Sequence, residues 1–492
     1  MLRWSLMHLM LLGASHASTM KVIDQPESWT GQCVIQAQPV QQIVFVDAVR
    51  DNPTHLSFRG DRALLVVDEK NGWLQIADPA HLGWAKKEQF VREADALTYF
   101  TSRITANASD SFAWYMRGLV QHHRTDDDSD IKDLDESLRL APGVARVVCA
   151  RGDCWEAKMD LDRAIKDYNE ALRLDPKFSI ALTNRAWAWL AKKEYDRALA
   201  DCEDALKLNP DEGGAFTNRA FIWYYKKDFD RALADSTEAV RCSPYLPQAF
   251  SFRGILWLDR QEYTKAIEDL DKAIRLAPKN SHAYKRRGIC WLGLKDYERA
   301  LQDLNQAIRL DPHSAEALIK RGLVWVMKKD YDQAIRDFDE AIRCDPTHSA
   351  DALNNRGSCW WLKKNLDRAI QDFSEALQID PHQLSARLQR GQAYSSSGRY
   401  APAIEDFTAA IQDHPLIPIA YVYRGNAYRS LAEYDRALAD FDEAIRLDPK
   451  CAAAFKGRAQ VWHNKRDFTR SLKDLDEATR LEQASRAAPP KK

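Results

Sequence analysis

Residues 179–212 read SIALTNRAWAWLAKKEYDRALADCEDALKLNPDE, and the next thirty-four, 213–246, read GGAFTNRAFIWYYKKDFDRALADSTEAVRCSPYL. Laid over one another, the two segments share Asn-Arg-Ala, a tryptophan, an Asp-Arg-Ala-Leu-Ala-Asp run and a proline at matching places. The period holds in both directions. Ten prolines form a ladder, Pro142, Pro176, Pro210, Pro244, Pro278, Pro312, Pro346, Pro381, Pro415 and Pro449. One step is a residue longer than the rest, with the extra residue in the loop 347–350. A fixed period in this range marks a stack of supersecondary units.

With the proline as position 32, the other positions sort themselves. Position 7 is arginine eleven times, from Arg117 to Arg458, and position 23 is aspartate eleven times, from Asp133 to Asp474. Position 8 is always glycine or alanine, and position 11 is tryptophan in eight units. Positions 20 and 27 are alanine in nine and ten units. Positions 4, 8 and 11 lie at i, i+4 and i+7, on one face of a helix, and 20, 24 and 27 repeat that spacing. A polar turn such as Lys192-Lys193-Glu194 separates the two stretches, and proline ends the second because it has no N–H and disfavours helix just before it. Each unit is therefore a pair of antiparallel helices. The small residues admit close backbones, and the ring at position 11 is expected to fill the space between. Its burial of roughly 150–250 Å² contributes at most on the order of 4–6 kcal/mol. A turn near position 15 sets the arginine of position 7 and the aspartate of position 23 at equal height, so a ladder of charge-assisted bonds is expected. A row of charges for a ligand is the alternative.

Gly/Ala at 8, an aromatic at 11, Ala at 20 and 27 and Pro at 32 resemble the tetratricopeptide repeat. The resemblance covers 96–483: a half-repeat 96–110, then 111–144, 145–178, 179–212, 213–246, 247–280, 281–314, 315–348, 349–383, 384–417, 418–451 and 452–485. It implies a mainly α, right-handed α-solenoid of about eleven two-helix units. The first unit departs most, with Gln121, Asp130 and Ser137 in place of the usual core residues; the last has Ser471 and Gln483. Atypical ends suit a stack that must face water.

The stretch before the repeats has a different pattern. β-Branched runs at residues 43–46 and 64–67 alternate with turn residues, and Gly72-Trp73 and Gly83-Trp84 open two further stretches. Residues 31–92 resemble a bacterial SH3-like barrel, most closely in its second half. The resemblance implies a peptide- or cell-wall-binding module with Trp73 and Trp84 as surface candidates; half-buried packing is the alternative. Residues 1–17 have the basic start, short apolar stretch and small residues of a signal peptide cleaved after Ala17. Export, with a periplasmic or envelope location, is the expectation; a true start at Met20 would leave the chain cytoplasmic. The Ala/Pro/Lys-rich tail 484–492 is expected to be disordered.

Composition narrows the function. Of 492 residues 45% are hydrophobic and 29% charged, so a core can form. Lys plus Arg (71) and Asp plus Glu (72) nearly cancel, so no long-range field draws the chain to nucleic acid or anionic lipid. No apolar run reaches the roughly 18 residues of a membrane span. The nine cysteines form no Cys-x-x-Cys pair and fall largely on apolar helix positions, as buried thiols would. That usage sits awkwardly with an oxidising compartment. Phosphate-loop, metalloprotease and hydrolase motifs are missing from the sequence, so neither catalysis nor a cofactor is expected. His122-His123 is read as solvated rather than metal-binding, and Asp126-Asp127-Asp128 lacks the glycine and glutamate of a calcium loop.

What remains is surface. The family resemblance implies a concave wall built from first helices, at positions 2, 5, 9, 12 and 13. Here these give Thr183 and Trp187; Thr217, Phe221, Tyr224 and Tyr225; Lys285 and Ile289; Leu323, Val326 and Met327; Asn354 and Trp361; Asn426 and Arg429. Apolar anchors of this kind suit a protein or peptide partner. Packing against the neighbouring repeat is the alternative for the aromatics. The Lys/Asn clamp of some co-chaperone members is not matched, because Ile289 and Gln460 stand where asparagine is needed. The expected function is a non-enzymatic interaction scaffold. The alternatives are a peptidoglycan binder that uses the barrel, with the repeats as spacer, and a cytosolic adaptor.

Overall fold

A computed structural model describes seven short strands between residues 33 and 92, then residues 93–122 and 128–487, with side chains from 95 to 484. The expected signal peptide lies outside the described residues. The chain divides into two compact units, Met1–Lys295 and Asp296–Lys492.

The chain is mainly α. Within each unit the helices form successive hairpins, such as Ser179–Ala191 with Tyr195–Leu208, and Ala350–Leu362 with Leu366–Ile379. First helices run 13 residues and second helices 14 in most repeats. A half-repeat helix, Glu93–Ala106, precedes them. The final helix, Phe468–Ala487, extends four residues into the segment expected to be a tail, a stretch of Ala, Ser and Arg compatible with helix.

The hairpins of repeats 2 to 11 turn in the same way. Position 15 is left-handed in every repeat from the second to the eleventh, for example Lys193 (φ 64) and Lys364 (φ 65). Of these, Gly398 (φ 77) is the one glycine. Glu194 N–H bonds the Trp189 carbonyl (2.9 Å) and Lys193 N–H that of Leu190 (2.9 Å), which caps the first helix. The residue before the repeat proline is extended, as at Asp175 (φ −136, ψ 94), and ends the second helix.

The tryptophans at position 11 are half-buried, and several pack against the clusters of two neighbouring repeats, as Trp155, Trp189 and Trp360 do. A cation from position 19 covers most of them: Arg163 over Trp155 (4.3 Å), Arg231 over Trp223 (3.7 Å) and Arg368 over Trp360 (4.6 Å). The side chain inside the hairpin is position 24. Tyr168, Phe338, Phe373, Phe407 and Phe441 are fully buried there. Each faces the glycine at position 8: a β-carbon on Gly357 would lie 2.8 Å from the Phe373 ring. Repeats 3 and 4 carry Ala186 and Ala220 at position 8, and their position 24 is only Cys202 or Ser236. The pairing is volume-matched.

The arginine–aspartate ladder forms in at least ten repeats. Nε and Nη2 of each arginine grip one carboxylate, as Arg424 does with Asp440 (2.9 and 2.7 Å). The aspartates are buried. The remaining nitrogen, Nη1, often reaches position 25 of the preceding repeat: Arg151 to Asp135 (2.7 Å), Arg287 to Asp271 (2.5 Å), Arg458 to Asp442 (2.6 Å). One guanidinium thus ties three helices.

The strands before the helices are β1 (Cys33–Gln36), β2 (Phe45–Val46), β3 (Pro53–Thr54), β4 (Leu64–Lys70), β5 (Trp73–Ala77), β6 (Leu82–Lys86) and β7 (Phe90–Arg92). They pair antiparallel in the order β3-β2-β6-β5-β4-β1-β7. Among the described residues no pairing joins the two edges, so the expected SH3-like barrel is not established. Trp73 pairs with Lys86, and Trp84 with Gln75.

Candidate partner-binding face

The stripe at positions 5, 9, 12 and 13 of the first helices is more buried than the sequence implies. Thr183, Thr217, Phe221, Lys285 and Asn354 are buried. Thr183 and Thr217 donate to carbonyls one turn back, at Ser179 (3.1 Å) and Gly213 (2.8 Å). Trp187, Tyr224, Tyr225, Ile289, Leu323, Val326, Trp361, Asn426 and Arg429 are half-buried. Met327 stands out at 54% exposed. Leu323 and Val326 lean on the cluster around Phe338, and Trp361 on the cluster around Phe373. Arg429 Nη2 donates to Asn426 Oδ1 (3.4 Å).

Repeats 3 to 5 gather the aromatics. Phe221 stacks on Phe252 with centroids 3.6 Å apart. Tyr224 meets Phe252 edge-on (6.0 Å), Phe229 (5.6 Å) and Tyr225 (5.9 Å). Tyr225 also stacks on Tyr195 (5.9 Å). Tyr224 O–H donates to Asp259 (2.9 Å) at the end of the next first helix. Neighbour packing thus accounts for Phe221, while the two tyrosines keep part of their surface in water.

A polar cluster adjoins the patch on repeats 2 and 3. Tyr168 Oη lies 2.8 Å from Asp153 Oδ1 and 2.9 Å from Glu156 Oε2. A hydroxyl has one proton, so both contacts are satisfied when Glu156 is protonated and donates to Tyr168. Asp153 also accepts from Asn184 Nδ2 (2.7 Å). Burial, reinforced by the Asp153 charge, pushes the Glu156 carboxyl up to about 8, and Trp187 bonds the same carboxyl. Asp153 and Glu156 occupy positions 9 and 12 of repeat 2, so the same stripe read one repeat earlier would have found them. Phe252, at position 6, falls outside that stripe and had no signal. None of the eight cysteines whose side chains are described forms a disulfide.

Two family models, both described as tetratricopeptide repeat, match the chain, one at residues 157–213, 253–315, 292–349 and 388–433 and the other at 350–383 and 418–451. No curated protein matches it. Among solved structures, it is similar to the APC/C hetero-tetramer Cut9-Hcn1 (17% identity, 79% of this chain and 84% of that one, TM-score 0.42). It is also similar to yeast Tom70 (17% identity, 75% and 92%, TM-score 0.39). A third is a tetratricopeptide repeat protein from Parabacteroides merdae (20% identity, 51% and 98%, TM-score 0.39). With the repeat matched over about half its length, the chain belongs to the tetratricopeptide repeat family.

Proposed function

We propose that the chain is a non-enzymatic scaffold that docks a protein or peptide partner on its first-helix face, centred on repeats 3 to 5. The supporting observation is the half-exposed aromatic patch of Trp187, Tyr224 and Tyr225, flanked by Asp259 and by the Asp153–Glu156 cluster. Large rings with polar tips make strong anchors at low entropic cost, and the acidic flanks favour a partner with basic residues beside apolar ones. Further contacts at Ile289, Leu323, Val326, Met327, Trp361, Asn426 and Arg429 would each add a little affinity. Export is part of the reading and rests on the apolar stretch that precedes Gly13. N-terminal sequencing of the mature chain tests it, and a chain that keeps Met1 or begins at Met20 removes it.

Crosslinking in the native cell followed by mass spectrometry identifies the partner. Capture by wild type, with loss of at least about tenfold in the Tyr224→Ser/Tyr225→Ser double variant and an unchanged melting temperature, is the expected result. Equal capture by that variant removes repeats 3 to 5 as the docking face.

A further inference from the structure

Position 20 lies where the two helices of a hairpin press close, its carbonyl 3.3 Å from a β-carbon placed on the position-8 glycine in repeats 5 and 10, and nine of eleven repeats fill it with alanine. Repeat 1 instead places Asp130 there, only 3% exposed. Alanine is simple to bury, whereas a carboxylate in that slot must be compensated. Two groups meet it. His122, at the end of the helix Ser111–His122, has Nδ1 3.1 Å from Asp130 Oδ2. Cys154, 1% exposed on the first helix of repeat 2, bonds the same carboxyl through its thiol. One donor atom from each of the three residues lies within 4.8 Å of the other two.

We propose that His122, Asp130 and Cys154 form a binding site for a divalent transition-metal ion, with zinc the best match to one nitrogen, one oxygen and one sulfur donor. Zinc–ligand lengths set tetrahedral donors roughly 3.3–3.7 Å apart, so the three atoms need only small side-chain adjustments to close on an ion. Charge supports the assignment. A thiolate, a carboxylate and a neutral imidazole balance a dication, so the buried assembly carries no net charge. Lys158 stands nearby and opposes a cation, but its ammonium is held by Asp128 (3.0 Å), and the negative charge of Asp153 also acts on Cys154. Three protein ligands leave a fourth position for water or another ligand. The ion would join both helices of repeat 1 to repeat 2, in the repeat whose Gln121 and Ser137 also depart from the usual core. Histidine, aspartate and cysteine 8 and 24 residues apart match no familiar metal motif, which is why the sequence gives no warning of the site.

The test is a Co(II) titration of the full chain after chelator treatment, read by absorption, with melting of the metal-free protein as a control. Wild type is expected to take up one equivalent with a near-ultraviolet thiolate-to-cobalt band, which zinc then displaces. Cys154→Ser is expected to lose that band. Asp130→Ala restores the alanine of the other repeats, so its metal-free melting should not fall, while its cobalt affinity should drop by more than the roughly 10–100-fold typical of an outer-shell change. A cobalt complex without a thiolate band, no complex at all, or binding that either variant leaves unchanged overturns the proposal.

Discussion

Repeats 3 and 4 carry rings on the face of their first helices and none at position 24, whereas repeats 7 to 10 each carry one between their two helices, and of these four only repeat 8, with Trp361, also has a ring on that face. In the latter group Phe338, Phe373, Phe407 and Phe441 fill position 24 against glycines at position 8. In the former, alanine at 8 meets Cys202 and Ser236, and the rings are Trp187, Phe221, Tyr224 and Tyr225 at positions 9, 12 and 13. One hairpin geometry thus accommodates two ways of placing rings. A ring inside a hairpin serves stability. A ring half-exposed on the first-helix face, as Trp187, Tyr224 and Tyr225 are, is available to a partner, and this contrast is what favours repeats 3 to 5 in the proposed docking.

The contrast breaks most visibly at position 24. Phe373→Ala empties a fully buried site and is expected to cost about 3–5 kcal/mol in chemical denaturation, whereas Tyr225→Ala should cost about 1 kcal/mol or less. Comparable losses for both would erase the distinction. The arginine ladder is common to both groups. Arg424→Met leaves Asp440 buried without its bidentate partner, and a loss of about 3 kcal/mol is expected, with partner capture by the folded protein retained.

The third prediction concerns the polar edge of the patch. Burial, with the Asp153 charge beside it, pushes the Glu156 carboxyl up to about 8 in the folded chain. The folded state therefore holds a proton that the unfolded state releases between about pH 4.5 and 8, and stability must fall as pH rises through that window. Glu156→Gln mimics the protonated acid, so its melting temperature should fall less than that of wild type between pH 5 and pH 8; identical slopes would show that Glu156 is ionised throughout. The smallest effect lies at the turns. Lys329 has a left-handed backbone (φ 63), and Lys329→Gly is expected to gain up to about 1 kcal/mol, while Gly398→Ala loses a similar amount.

The hairpins and the Arg–Asp pairing were legible because they rest on identity at fixed spacing. Spacing placed position 24 on the apolar face of the second helix, but not its pairing by volume with position 8, because Tyr168, Cys202, Ser236, Leu270 and Phe338 share the site but no residue type. The period revealed position 11, but not that a cation at position 19 would lie over its ring. The reach of Nη1 to the preceding repeat was hidden likewise, since its acceptor alternates among Asp, Asn, Ser and Thr. On the candidate face, helical spacing named a stripe but could not separate Phe221, covered by Phe252, from Tyr225, half in water.

Hydrogen exchange of the chain with and without the protein captured by crosslinking tests the docking face most directly. Slowed exchange concentrated in Ser179–Ala191, Gly213–Tyr225 and Pro247–Asp259 is the predicted result. Protection confined to the repeats between Ala350 and Leu447, with those three helices unchanged, would contradict it.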